Sequence, residues 1–211
     1  DKFAPEFSRE WFAEQLKGVD TGAVSHEELL EVIFNPALYS SRLNQTAGVD
    51  MIAASAGNYY EGLTQAEVEK FYNKMIDPKD PRPISYGLNS KLVKKSGKIY
   101  EQTYKVGGMY TEALEKVVYW LEKAEAVAEE PLKTTIGLLI KYYKSGDLRD
   151  FDAFNISWVQ DTQSNVDFVN GFTETYGDPL GFKASWESVV NFVDKAACAR
   201  TQIISDNAQR F

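Results

Sequence analysis

Residues 155–181 read NISWVQDTQSNVDFVNGFTETYGDPLG. Phe151, Phe154 and Trp158 stand at helical spacing, so the first part of this stretch is predicted to close a helix. The period then switches. Val166, Phe168, Phe172 and Tyr176 fall on one side of an alternating pattern, and Asp167, Val169, Thr173 and Thr175 on the other. Side chains alternate in this way only in a strand. Gly177-Asp178-Pro179 ends it, because proline has no N–H with which to continue a ladder. A helix therefore feeds a strand that carries an acid, Asp167, opposite its aromatic row.

Outward from this switch the pattern stays legible. Ala184, Trp186, Ser188, Val190 and Phe192 alternate and predict a second strand, and Asp194 can cap a last helix through Ala197, Ile203 or Ile204, and Ala208. On the N-terminal side, Leu114, Val117, Val118, Leu121, Ala124 and Ala128 form one apolar stripe. Pro131 starts another helix with Leu132, Ile136, Leu139, Ile140 and Tyr143 inward and Gly146 at its end. Leu148 to Gln160 adds a third. Ser96-Gly97 is a two-residue turn signal between strands expected at 88–95 and 98–106, and Gly107-Gly108 breaks the second. The proline-rich run 77–83 is a stiff connector. Before it, Ser8, Ser25 and Thr64 each precede a helical pattern, with Phe7 and Phe12, Val24 and Leu29, and Leu63 and Val68 placed as hydrophobic staples. The expected class is α+β, mainly helical, with a small antiparallel sheet of about four strands. An N-terminal helical segment, 1–76, and a segment of hairpin, helix pair and strand–helix, 77–211, are expected to share one compact domain.

A net charge of −8 argues against nucleic acid and anionic membranes as partners, since both require clustered Lys and Arg. No apolar run approaches the roughly 18 residues of a membrane span. The one cysteine, Cys198, allows no internal disulfide, which favours the cytoplasm over the periplasm. A zinc site needs several converging His, Cys or carboxylate ligands. The one histidine, His26, begins His26-Glu27-Glu28-Leu29-Leu30, with no second histidine after it. There is no G-x-S-x-G elbow, no Walker A loop and no G-x-G-x-x-G. Glu129-Glu130 reads as helix-start chemistry and Asp178 as a turn former. Tyr59-Tyr60 and Tyr142-Tyr143 read as half-buried packing. By their own chemistry these residues supply neither a metal site nor a nucleophile–base pair.

The segments W-V-Q-D, V-D-F-V-N-G-F and E-T-Y-G-D-P-L-G at 158–181, with SYGLNSKLV at 85–93 and ALEKVVYWLEKAEAVA at 113–128, resemble the dipeptidyl peptidase III family. Its members are zinc-dependent exopeptidases that remove dipeptides from peptide N-termini. The family's zinc motifs, H-E-x-x-G-H and a following glutamate-rich helix motif, do not occur here. The resemblance implies a lower-lobe piece of a longer enzyme, whose sheet belongs to a small or partial β-barrel. An initial Asp1 and an end at Phe211, inside an apparent amphipathic helix, agree with that expectation. The implied partners are an oligopeptide substrate and the remaining catalytic lobe, with zinc in the parent enzyme and no cofactor in this piece. An acid on the strand at Asp167 helps hold the substrate's N-terminus in the family. Many relatives carry the longer Glu there, and a nearby substrate-contacting Tyr of the family falls on Val169. The alternative is a standalone, non-catalytic binding or scaffold domain.

Overall fold

A computed structural model describes residues 4–211 and separates into two compact units. The first holds the chain through Gln102 together with Thr175–Ala184. Its helices α1 (Arg9–Gln15) and α2 (His26–Phe34) begin at Ser8 and Ser25, whose side-chain oxygens accept the N–H groups of Trp11 and Glu28. The staple at Phe7 becomes an aromatic cluster, with ring centroids 5.4 Å from Trp11 and Phe12 and 5.9 Å from Phe34. A single turn, α3 (Met51–Ala54), is capped by Asp50. After β1 (Tyr60–Glu61) comes α4 (Gln65–Asn73), opened by a complete capping box between Thr64 and Glu67.

Strands β2 (Ser90–Lys95) and β3 (Lys98–Thr103) form the expected hairpin. Ser96 and Gly97 have φ of 52° and 76°, so both turn residues are left-handed, as a tight hairpin turn requires. β1 pairs parallel with β2, Tyr60 opposite Leu92 and Glu61 opposite Val93, which puts β2 at the centre of a three-stranded sheet. Parallel neighbours need a long crossover, and α4 supplies it. Two residues are too few to show alternation, which is why β1 escapes a reading of the sequence. Val68, Tyr72 and Leu92 form the buried centre under this sheet, flanked by Ile52, Leu63, Leu180 and Phe182.

The second unit is Thr103–Glu174 with Ser185–Phe211. Helices α5 (Thr111–Glu125), α6 (Leu132–Ser145) and α7 (Leu148–Gln160) pack in succession. α6 buries Ile136, Leu139, Ile140, Tyr142 and Tyr143, so the tyrosine pair lies deeper than its half-buried expectation. Gly146, at φ 72°, donates its N–H to the Tyr142 carbonyl at 2.7 Å and ends α6. Asp147 follows at once and caps α7 through the Arg149 N–H. β4 (Val166–Glu174) and β5 (Ser185–Phe192) then pair antiparallel, with Phe168 opposite Val190 and Phe172 opposite Trp186. A bulge between Phe172 and Glu174 breaks the alternation there. Tyr176, expected in the row of Phe168 and Phe172, consequently lies beyond the strand and is 66% exposed. The chain ends in α8 (Lys195–Asp206), capped by Asp194, and a 3-10 turn at Ala208–Arg210. α8 buries none of its residues.

The fold is α+β. Its strands lie in a three-stranded and a two-stranded sheet, and no closed barrel forms among the described residues.

Candidate functional site

Asp167 is the second residue of β4, exposed and paired with Asn191 of β5. It shares a strand face with Val169, Gly171 and Thr173. Two residues of α7 reach that face. At one end, a Cβ added to Gly171 would stand 3.2 Å from Cε2 of Phe151, so helix and strand approach as closely as glycine allows. At the other end, Trp158 Nε1 donates to Asp167 Oδ1 at 2.8 Å. The seven residues from Phe151 to Trp158 span about 10.5 Å of helix, and the four from Gly171 back to Asp167 about 13 Å of strand. The two contacts therefore keep step along antiparallel elements. Among the described residues the second carboxylate oxygen, Oδ2, has no protein partner.

The loop between Trp158 and Asp167 is fixed by Asp161. Its Oδ1 accepts the N–H groups of Gln163 and Ser164 at 3.1 and 3.0 Å, and its Oδ2 accepts the Ser164 hydroxyl at 2.5 Å. Burial works to raise the Asp161 pKa, but these hydrogen bonds outweigh it and hold the carboxyl below its ordinary value. Farther along the hairpin, Glu174 lies beyond the bulge beside Glu187, which pairs with Gly171. A hydrogen bond between the two carboxyls, then burial and the Glu187 charge, push the Glu174 pKa up. Thr173 Oγ1 also donates to Glu187, at 3.3 Å.

The opposite face of β4 is different in character. Val166, Phe168 and Asn170, with Ser188 and Val190 of β5, line a cavity of about 670 Å³ closed on its other side by Leu121, Leu132 and Ile136. Asp167 does not line it. Asn170 is held there by the Tyr143 hydroxyl at 2.5 Å, and Trp186 Nε1 donates to the same Tyr143 oxygen at 2.9 Å.

In the first unit the residues read as turn and packing groups form a buried polar network. Asp178 accepts the N–H groups of Phe182 and Lys183, each at 2.8 Å, and the Tyr60 hydroxyl at 2.6 Å. Lys183 is fully buried. Its ammonium donates to the Tyr72 hydroxyl, to the Gly87 carbonyl at 3.1 Å and to Ser90 Oγ at 2.9 Å. Tyr72 and Ser90 in turn donate to Glu101 Oε1 at 2.8 and 2.6 Å. Burial pushes the Lys183 pKa down to about 8 against the pull of Glu101 and Asp178. Burial first, and then the neighbouring carboxylates, push Tyr60 and Tyr72 well above the ordinary phenol value. Lys183 escapes a reading of the sequence. The available signal is a lysine between Phe182 and Ala184, four residues after the turn-forming Asp178-Pro179.

Among the described residues no three His, Cys, Asp or Glu side chains converge on a point that could hold a metal ion. His26 Nε2 is 2.8 Å from the Val19 carbonyl oxygen, and Cys198 stands exposed on α8. These residues do not fit a zinc ion. No described helix is long and apolar enough to cross a membrane.

Residues 85–211 match the family model "Peptidase family M49", and the chain belongs to that family. It is 28% identical to dipeptidyl peptidase 3 of Dictyostelium discoideum, over 72% of this chain and 24% of that protein. It is 31% identical to dipeptidyl peptidase 3 of Homo sapiens, over 49% of this chain and 14% of that protein. Among solved structures, dipeptidyl peptidase III from Caldithrix abyssi matches with a TM-score of 0.56 at 18% identity, over 96% of this chain and 38% of that one. The enzyme from Corallococcus sp. strain EGB matches with a TM-score of 0.54 at 21% identity, over 95% and 37%. These two likenesses show the fold. The chain spans about a quarter or less of the curated relatives' length.

Proposed function

We propose that this chain is part of a dipeptidyl peptidase and supplies one wall of its peptide site, in the lower lobe, with Asp167 as the anion that receives the substrate's free amino end. The observation that carries this reading is an exposed strand carboxylate held at one oxygen by Trp158 and open at the other. An exopeptidase that counts two residues from the N-terminus must hold the terminal ammonium at a fixed distance from the reacting bond. A carboxylate does this through a charge-assisted hydrogen bond, which also sets the register of the peptide. Val169 on the same face provides apolar contact and no hydroxyl.

No bond-breaking step belongs to this chain. The zinc that the family resemblance implies would be held by residues outside it, in the remaining catalytic lobe. That lobe is the proposed partner for the apolar surface that β5 and α8 leave open.

Two measurements test the reading. In the full-length protein, Asp167→Ala should raise KM for a dipeptidyl substrate about ten- to hundredfold, the worth of one hydrogen bond to a charged group. Zinc content should stay the same. Unaltered kinetics would remove Asp167 from the site. In addition, the 211-residue chain incubated with zinc should release no dipeptide from a dipeptidyl arylamide. Zinc-dependent release by the chain alone would overturn the assignment of the chemistry to another segment.

A further inference from the structure

We propose that the cavity between the α5–α6 loop and the β4–β5 hairpin binds a small amphipathic cation, whose apolar body meets the walls while its ammonium stands at the mouth beside Glu129 and Glu130. The cavity lies on the face of β4 opposite Asp167, and the proposal does not depend on the role given to that acid.

The register of the hairpin builds one wall. Val166, Phe168 and Asn170 alternate onto one face of β4, and β5 sets Val190 opposite Phe168 and Ser188 opposite Asn170. Leu121 of α5, with Leu132 and Ile136 of α6, faces them across about 670 Å³. A volume between about 300 and 1,000 Å³, with mostly apolar walls and a few polar groups, is what a small-molecule site requires. The polar groups of the hairpin wall are engaged with one another. The Tyr143 hydroxyl donates to Asn170 Oδ1 at 2.5 Å, and Asn170 Nδ2 donates to Ser188 Oγ at 3.2 Å. That wall therefore favours an apolar body.

Charge at the mouth decides the class of ligand. Glu129 and Glu130 stand exposed on the loop between α5 and α6. Glu130 Oε2 accepts the Thr134 N–H and hydroxyl at 3.2 and 2.6 Å. Among the described residues, Glu130 Oε1 and the whole Glu129 carboxylate have no protein partner, and no lysine or arginine lines the cavity. Gln163 and Asn165, from the loop before β4, add only neutral amides. An anionic amphiphile would bring its charge to two carboxylates and find no counter-charge, whereas an ammonium finds open acceptors. Because both glutamates are exposed, charge selects by a modest factor and the apolar walls supply most of the affinity.

The test uses three probes that share one apolar body and differ in charge: 4-phenylbutylamine, 4-phenylbutanol and 4-phenylbutyrate. Each is titrated into the full-length protein and its Kd read by ligand-observed NMR. The amine should bind with a Kd on the order of 1 mM. It should bind about fivefold more tightly than the alcohol, and the butyrate more weakly than either. Glu129→Gln with Glu130→Gln removes both charges and keeps an acceptor for Thr134. In that variant amine and alcohol should bind within about 1.5-fold of each other. Val190 is more than half exposed, so Val190→Lys should fold, and its new cation should weaken the amine about tenfold. Asp167→Ala should leave all three constants within about 1.5-fold of the wild type. Equal binding of the three probes, a preference for the butyrate, or no saturable amine binding would overturn the proposal. So would an amine preference that survives the loss of both glutamates, or one that vanishes with Asp167, since the ammonium would then sit elsewhere. An unchanged amine constant in Val190→Lys would place the ligand outside the cavity and overturn it equally. If the 211-residue chain binds the amine and the full-length protein does not, another segment of the protein fills the cavity and the proposal falls.

Discussion

Lys183 is the residue whose environment departs farthest from what its type prefers. An ammonium with no exposed surface is tolerable because every proton has a partner, and the charge is passed through Tyr72 and Ser90 to Glu101. Its pKa of about 8 lies below the lysine value of about 10.4 expected in the unfolded chain. Between those two values the unfolded chain binds more protons than the folded one, so stability should rise with pH from 8 to about 10.4 and be flat below 8. Tyr60 and Tyr72 act in the opposite sense. Their folded pKa values are raised, so their contribution is complete below about pH 10 and is lost above it, as the unfolded phenols ionise. Denaturant titrations should therefore show a maximum near pH 10. Lys183→Met should cost about 3 kcal/mol at pH 7 by stranding the acceptors, and should abolish the rise while keeping the fall. Gly87 borders the same network with φ 89°, and a Cβ there would sit 2.7 Å from Tyr72 Cζ. Gly87→Ala should destabilise by about 2 kcal/mol or more, read as a lowered melting midpoint.

At the scale of elements, α7 and β4 act as one device. The helix is readable in sequence because its cap at Asp147, its aromatic spacing and the glycine before it all agree. What spacing cannot show is that Phe151 and Trp158 of α7 reach the Asp167 face of β4, the first of them against Gly171 and the second at Asp167 itself. Gly171→Ala should force α7 away from the strand, cost about 1–3 kcal/mol, and shift the indole N–H resonance of Trp158. A melting curve and an amide spectrum check both. An unmoved Trp158 signal would show that the strand bends and the helix stays. The expected row of Val166, Phe168, Phe172 and Tyr176 failed at its last member for a local reason. A bulge inserts one residue into one strand only, and nothing in an alternating pattern marks where that happens.

For the molecule as a whole, the notable quantity is apolar surface without cover. Val190, Phe192, Ile203 and Ile204 are all more than half exposed, Phe192 at 78%. Surfaces of this kind associate. The 211-residue chain alone should bind a hydrophobic dye and self-associate at micromolar concentration. Phe192→Lys with Ile203→Lys should suppress both while moving stability by less than about 0.5 kcal/mol for each exposed site. A large stability loss would mean that these side chains are packed after all.

The sequence by itself determined the seven longer helices and the four longer strands, because caps, glycine stops and periodicity are local signals that each chain segment carries alone. It also singled out Asp167, through the alternation that places it opposite the aromatic row and through a family pattern around it. Only the tertiary structure decided that the strands divide into two sheets, with the two-residue β1 joined by parallel pairing. Only it showed that a turn-forming aspartate and an unremarked lysine share a buried network. It alone supplied Trp158 as the partner of Asp167. These are contacts between residues distant in sequence or on different elements. Their energy depends on distance, burial and direction in space, and none of those is written in the order of the residues.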